Sequence, residues 1–373
     1  MKVLHLIDSG GLYGAEKMLL SLATEQQALG LDITILSAGE PGCGEKPLEM
    51  EAQRLGLPII QWRMRPGINL PEARKIIRWA REQDFHVMHS HGYKFNILAG
   101  LWPRGMRPPL VTTLHGYVRT PRFSKMWLYE CADRFILRRM QAVVLVDESM
   151  KADLGRGMHK SGRVHVIPNG VDISDIETRA QTELALELSC FLQAHTPVIL
   201  GVGRLSREKA FDRLIEAFST LSQHHPKAGL LIVGEGRLRA ELEALVRNHN
   251  LGDRVLMPGY CDNVPALMAR ATALVIPSRT EGLPITLLEA MTLRLPVIAS
   301  SVGAMPQALE SGKGGKVLRE PSAGNIAIAL GECLGEVEQT SHKVRRARQK
   351  LKSDYSASAM AATYNDLYRR MLV

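Results

Sequence analysis

Residues 197–212 read Pro197-Val-Ile-Leu-Gly-Val-Gly-Arg-Leu-Ser-Arg-Glu-Lys-Ala-Phe-Asp212, an apolar run, a glycine turn, then a polar lead into an amphipathic segment. That is how a strand passes into a helix. The stretch decides the fold because it restarts, half-way along, a pattern already completed once. Before it, apolar runs at 2–7, 32–37, 58–63, 87–90, 110–114, 142–146 and 164–167 alternate with helical segments such as 15–29 and 72–82. After it, strands at 198–202, 229–233, 273–276 and 296–300 alternate with helices such as 211–223 and 238–248. Alternation of this kind predicts parallel sheets covered by helices, and the restart predicts two doubly wound, Rossmann-like α/β domains in series. Pro168-Asn-Gly-Val-Asp172 punctuates the chain between them, giving expected domains 1–170 and 171–355, with 356–373 a separate final helix. Open parallel sheets bind ligands at their strands' carboxyl ends, so two facing sheets predict an interdomain cleft.

At 373 residues the chain suits two cores rather than one. An apolar fraction of 45% and a charged fraction of 23% are those of a globular protein. No apolar run approaches the ~20 residues that span a bilayer. The opening MKVLHLIDSGG reads as a first strand rather than a leader, which predicts a cytoplasmic protein. Five scattered cysteines, none in a C-x-x-C pair, argue against a disulfide framework and a structural zinc site. Of the net charge of +9, most falls early: residues 54–139 hold 16 basic against 5 acidic residues. Such a surplus predicts an anionic partner, a membrane surface or a phosphate-bearing acceptor, with a solvated helix face as the plainer account. Nucleic acid is disfavoured, since no recognition motif accompanies the charge.

The strongest local signal is Arg279-Thr-Glu-Gly-Leu-Pro-Ile-Thr-Leu-Leu-Glu289, directly after a strand. A glycine turn, Gly282, followed by Pro284 at the expected first helical position makes a helix N-terminus whose free N–H groups point at the strand end, where they attract phosphate. Glu281 in the turn can accept from sugar hydroxyls and Glu289 from a ribose; equally, the first reads as a capping carboxylate and the second as a surface residue. Arg204 and Lys209 place two cations at a neighbouring strand-to-helix junction, suited to a diphosphate or to a surface cluster with Glu208 and Asp212. Gly234-Glu235-Gly236 permits close backbone approach to a ligand. In the first half, Gly10, Gly11 and Gly14 form a glycine turn after the first strand, spaced G-G-x-x-G rather than the G-x-G-x-x-G of a dehydrogenase.

Taken in order, the glycine-rich first turn, Pro168-Asn-Gly-Val-Asp172, Gly203-Arg204…Glu208-Lys209, Val233-Gly-Glu-Gly236 and Glu281-Gly282…Glu289-Ala290 resemble the family 4 retaining glycosyltransferases of the GT-B fold over nearly the whole chain. The resemblance implies that Arg204 and Lys209 hold the donor diphosphate, Glu289 the ribose and Glu281 the transferred sugar. The glycines of the first turn, the Gly234-Glu235 pair and the 281–286 run would also face the donor. It implies a sugar contact for His115, an acceptor-side place for His89 and His91, and a final helix packed back on the first domain. Ala210 stands where the family has glycine, and His86 where an acid often precedes the fourth strand. His89, His91 and His115 could mimic a zinc triad, but no acid completes a ligand set and no Asp-x-Asp pair is present; no metal and no cofactor are expected.

The expectation is therefore a retaining, metal-independent enzyme moving a sugar from a nucleotide-sugar, by default a UDP-sugar, to a glycolipid, lipopolysaccharide or exopolysaccharide intermediate. The alternatives are a non-catalytic nucleotide-sugar-binding protein and a GT-B epimerase.

Overall fold

The computed structural model describes residues 1–8, 11–12, 14–115, 125–154, 156–159 and 161–372. They form two compact units, Met1–Gly170 joined by Ala357–Val373, and Val171–Ser356.

The first unit holds β1 (Lys2–Ile7), β2 (Asp32–Gly39), β3 (Ile59–Arg63), β4 (Val87–Ser90), β5 (Leu110–Leu114), β6 (Ala142–Leu145) and β7 (Val164–Val166). All are parallel, in the order β3-β2-β1-β4-β5-β6-β7, with Lys2 opposite Asp32 and Val3 opposite Val87. The second holds β8 (Val198–Val202), β9 (Gly229–Val233), β10 (Val255–Gly259), β11 (Ala273–Ile276), β12 (Val297–Ser300) and β13 (Lys316–Leu318), also parallel, in the order β10-β9-β8-β11-β12-β13. β10 and β13 go beyond the sequence expectation. β10 carries Pro258, which cannot donate to a ladder and is tolerated because the strand lies at a sheet edge; β13 is only three residues long.

The helices that matter for the site are α1 (Gly14–Ala28), α2 (Leu70–Glu82), α3 (Tyr93–Gly100), α4 (Lys125–Ile136), α5 (Phe211–His224), α6 (Ile285–Thr292) and α7 (Ala357–Leu372). Strand alternation sends the β1 side chains to two layers. Leu4 and Leu6 join Ile76, Ile77 and Phe95, while Val3 and Ile7 meet Leu22 of α1 and Met360, Tyr364 and Leu367 of α7. The final helix is thus part of the first unit's core. In the second unit Ile199 packs on Phe211, Leu214 and Phe218. Gly201 lets α5 approach closely: a Cβ there would stand 2.9 Å from Leu214 and 3.0 Å from Phe211.

In each sheet the strand order reverses about one strand pair, β1/β4 and β8/β11. The connections leave those pairs in opposite directions, which opens a crevice at the carboxyl ends of the strands.

Candidate active site

At the β8/β11 switch point two loops meet. Lys209, from the loop after β8, forms an ion pair with Oε1 of Glu281, from the loop after β11. Ser278 Oγ donates to the same carboxylate oxygen at 2.8 Å, and the Arg279 N–H donates to the Glu208 carbonyl at 2.7 Å. Arg279 also lies 3.6 Å from Asp212. The Lys209 and Glu281 side chains are 23% and 13% exposed, so the ammonium and carboxylate are held in place before any ligand arrives. Arg204 differs: it is 75% exposed, with Glu208 a loose partner at 3.9 Å. Among the sequence-predicted cations, Lys209 is fixed and Arg204 is free to reach.

α6 begins beside this pair. Pro284 is its N-cap, in extended conformation, and helical geometry starts at Ile285, one residue later than the sequence predicts. Proline has no side-chain acceptor and no side chain caps the helix; the Leu287 N–H turns back to the Pro284 carbonyl at 3.1 Å, which leaves the N–H groups of Ile285 and Thr286 as the first-turn donors for an anion. Glu281 does not cap it, because its carboxylate turns to Lys209 and Ser278. Leu283, Thr286 and Glu289 are half-buried on the same segment, while Gly282 and Ile285 are exposed.

The loops after β8 and β9 are zipped together. Gly203 N–H donates to Val233 O at 2.9 Å, Leu205 N–H to Glu235 O at 2.9 Å, and Gly234 N–H to Gly259 O at 2.8 Å. Gly234 has φ 141°, and a Cβ on it would collide with the Gly203 carbonyl, so only glycine fits. The Glu235 carboxylate is committed to Arg239, at 2.7 Å and 3.0 Å. Two contributors escaped the sequence reading: Ser278, and Gly303, with φ 56° and a Cβ position blocked by the carbonyls of Glu281 and Gly282. A glycine just past a strand end was the available signal for Gly303.

In the first unit Gly10 lies outside the described residues. Gly11 is buried, and Gly14 opens α1 with open space where a Cβ would stand, so sterics do not demand glycine there. Asp8, at the end of β1, is paired with Lys94 at 2.9 Å and Lys46 at 3.4 Å, a contact the sequence did not suggest.

His89 and His91 belong to a buried cluster with His5. His89 shares its two ring nitrogens with Tyr368 Oη at 2.6 Å and Thr113 Oγ1 at 2.8 Å, and Thr113 bonds Tyr364 at 2.7 Å. Both His89 ring nitrogens are thus engaged, and the residue joins β4 and β5 to the C-terminal helix. His5 meets Gln26 Oε1 at 2.8 Å and His91 Nε2 at 3.1 Å. Gln26 is oriented by donating to Asn365 at 3.2 Å, so His5 carries its proton on Nε2 and accepts from His91 on Nδ1. His91 is 5% exposed, under the strand ends rather than on the surface. His115 is half-buried at the end of β5, its ring stacked 5.9 Å from that of His91. Burial holds all four neutral: His5 and His115 are pushed down to about 4, and His89 and His91 well below the ordinary value, with their histidine neighbours adding to the effect. The ligand atoms of His5, His89 and His91 lie within 4.8 Å of one another, a spacing a metal could use. A metal there would have to displace the bonds to Gln26, Thr113 and Tyr368, and among the described residues no carboxylate bonds to any of the rings, so the donor set fits a packing network better than a zinc site.

The family model for glycosyltransferase family 4 matches residues 13–175, and that for glycosyl transferases group 1 matches residues 191–350. The chain is a family 4, group 1 glycosyltransferase. It is similar to the alpha-D-kanosaminyltransferase of Streptomyces kanamyceticus, with 27% identity over 73% of each chain. It is also similar to the lipopolysaccharide core biosynthesis mannosyltransferase LpcC of Rhizobium leguminosarum bv. viciae, with 26% identity over 95% of this chain and 94% of that one. In fold the glycosyltransferase matches the crystal structure of Anabaena HepE in complex with UDP, with a TM-score of 0.80, 19% identity, and coverage of 99% of this chain and 100% of that one. Its architecture is GT-B, two Rossmann-like parallel-sheet units.

Proposed function

We propose that the enzyme moves a sugar from a UDP-sugar to an acceptor hydroxyl with retention at the anomeric carbon and without a metal ion. The observation that carries this reading is the Lys209–Glu281 pair at the β8/β11 switch point, beside the uncapped start of α6. Lys209 and Arg204 take the donor diphosphate, with the N–H groups of Leu283, Ile285 and Thr286 and the backbone at Gly234. Glu289 holds the ribose and Glu281 the hydroxyls of the sugar. His115, neutral through burial, contacts the sugar. As the bond from the anomeric carbon to the phosphate oxygen breaks, charge grows on the leaving diphosphate, and the preorganised Lys209, the mobile Arg204 and the helix dipole stabilise it. The acceptor oxygen bonds to the same face of that carbon, and its proton passes to the departing phosphate oxygen. No enzymic nucleophile takes part, unlike the two-carboxylate retaining glycosidases. UDP is favoured by the fold match to HepE, whose structure contains it. A lipopolysaccharide-like or glycolipid acceptor is favoured by the similarity to LpcC.

Lys209→Ala and Arg204→Ala are each expected to lower kcat by ~10² to 10³, the usual loss for one transition-state charge donor. The assay is nucleotide release from a panel of UDP-, GDP- and ADP-sugars. Undiminished turnover in both variants would remove the assignment.

A further inference from the structure

α4 departs from the usual amphipathic pattern at four positions. Its two carboxylates face inward: Asp133 is fully buried and accepts from the Asn96 amide at 2.8 Å, and Glu130 is 5% exposed. Its outer face carries Leu128 and Phe135, 58% and 65% exposed and seven residues apart, hence on one side of the helix. Next to its C-terminal end are Leu101 and Met106, 39% and 51% exposed. They are held there because Gly100 packs against Ile136, and because Arg104 donates to the carbonyls of Arg139 at 3.3 Å and Met140 at 3.4 Å.

Arginines gather at the same corner without acids. Arg107 donates to Arg139 O at 2.9 Å and Arg163 to Arg138 O at 2.6 Å. Among the described residues, none of Arg104, Arg107, Arg138, Arg139 and Arg163 has an ion-pair partner, whereas on α2 Lys75 and Arg78 are matched by Glu72 and Glu82. The Arg107 guanidinium is pushed down to about 10, by burial first and then by Arg104 and Arg139, so the corner is short of negative charge.

We propose that the outer face of α4 and the adjoining 101–106 turn dock on an anionic phospholipid bilayer, the exposed arginines meeting lipid phosphates while Phe135, Leu128 and Met106 enter the interface. No helix among the described residues is long and apolar enough to cross a membrane, so this is surface attachment. A soluble phosphate would use the arginines and leave four exposed apolar side chains unexplained. A bilayer uses both, since basic residues and interfacial apolar side chains each add to binding.

The test is sedimentation of the full-length enzyme with phosphatidylglycerol–phosphatidylcholine vesicles and with phosphatidylcholine alone, at low and high salt and without nucleotide-sugar. Binding is expected to the anionic vesicles only. Arg138→Glu with Arg139→Glu should reduce it about 30-fold or more at low salt. Leu128→Ala with Phe135→Ala should reduce it about tenfold, at high salt as well as low. Circular dichroism and unchanged donor hydrolysis confirm that both variants are folded. The proposal is overturned by equal binding to both vesicles, by variants that bind like the parent, or by a self-association that the arginine variant dissolves. It is also overturned if millimolar inorganic phosphate displaces the vesicles while the apolar variant has no effect.

Discussion

Ala210 sits in the left-handed region, φ 53° and ψ 42°, at the start of α5 and just after Lys209. A side chain there costs about 1–2 kcal/mol of backbone strain. Glycine would relieve that strain, yet it would lose one buried methyl, about 0.8 kcal/mol, and gain unfolded-chain entropy worth about 0.4–1 kcal/mol. The terms nearly cancel, so Ala210→Gly should shift unfolding free energy by less than about 0.5 kcal/mol, whereas Ala210→Val, β-branched in the same conformation, should cost about 2 kcal/mol or more. Denaturant midpoints decide; a large gain in the glycine variant would mean that strain dominates. The meeting of single residues was legible where their type and their place after a strand agreed, as at Lys209 and Glu281. His5 was not, because a lone histidine inside an apolar strand carries no mark of the cluster that its β4 neighbour completes. Ser278 was equally silent, since a serine after a strand is common loop chemistry.

At the scale of elements, the C-terminal helix α7 holds the first unit through polar as well as apolar contacts. Tyr368 and Tyr364 are fully buried, and their hydroxyls close the chain from His89 through Thr113. Tyr368→Phe leaves one His89 nitrogen unpartnered in the core, a loss of about 1–3 kcal/mol with little change in packing. The expected signature is a lower urea midpoint with unchanged slope; an unmoved midpoint would show that the bond contributes nothing. The strands and helices around the two switch points were readable because β-branched runs and helical periodicity alternate cleanly. β10 and β13 were not, since Pro258 and a three-residue length each erase the local signal, and only pairing within the sheet makes them strands. The sequence pattern puts the N-terminus of α6 one residue early because the φ of proline suits both the cap and the first turn.

For the whole molecule, the buried histidines make stability depend on pH. His5 and His115 titrate at about 4 when folded and near 6.5 when unfolded. The unfolded chain therefore binds more protons between those values, so stability is full above about pH 6.5 and falls as pH drops toward 4, by on the order of 3 kcal/mol for each group. His89 and His91 act in the same direction. Glu49, held at about 2 chiefly by its bond to Arg63 against the opposing pull of burial, adds a further loss only below the ordinary carboxylate range. Denaturation at pH 7, 6 and 5 should show the decline in the first unit, where all these groups lie; a flat profile would contradict it. Proton NMR of the first-formed product from an α-linked UDP-sugar, in EDTA, separates the proposed retaining, metal-free transfer from an inverting or metal-dependent one. Slow donor cleavage that releases the α-anomer first is expected; release of the β-anomer, or cleavage that appears only when a divalent metal is restored, would contradict retention without a metal.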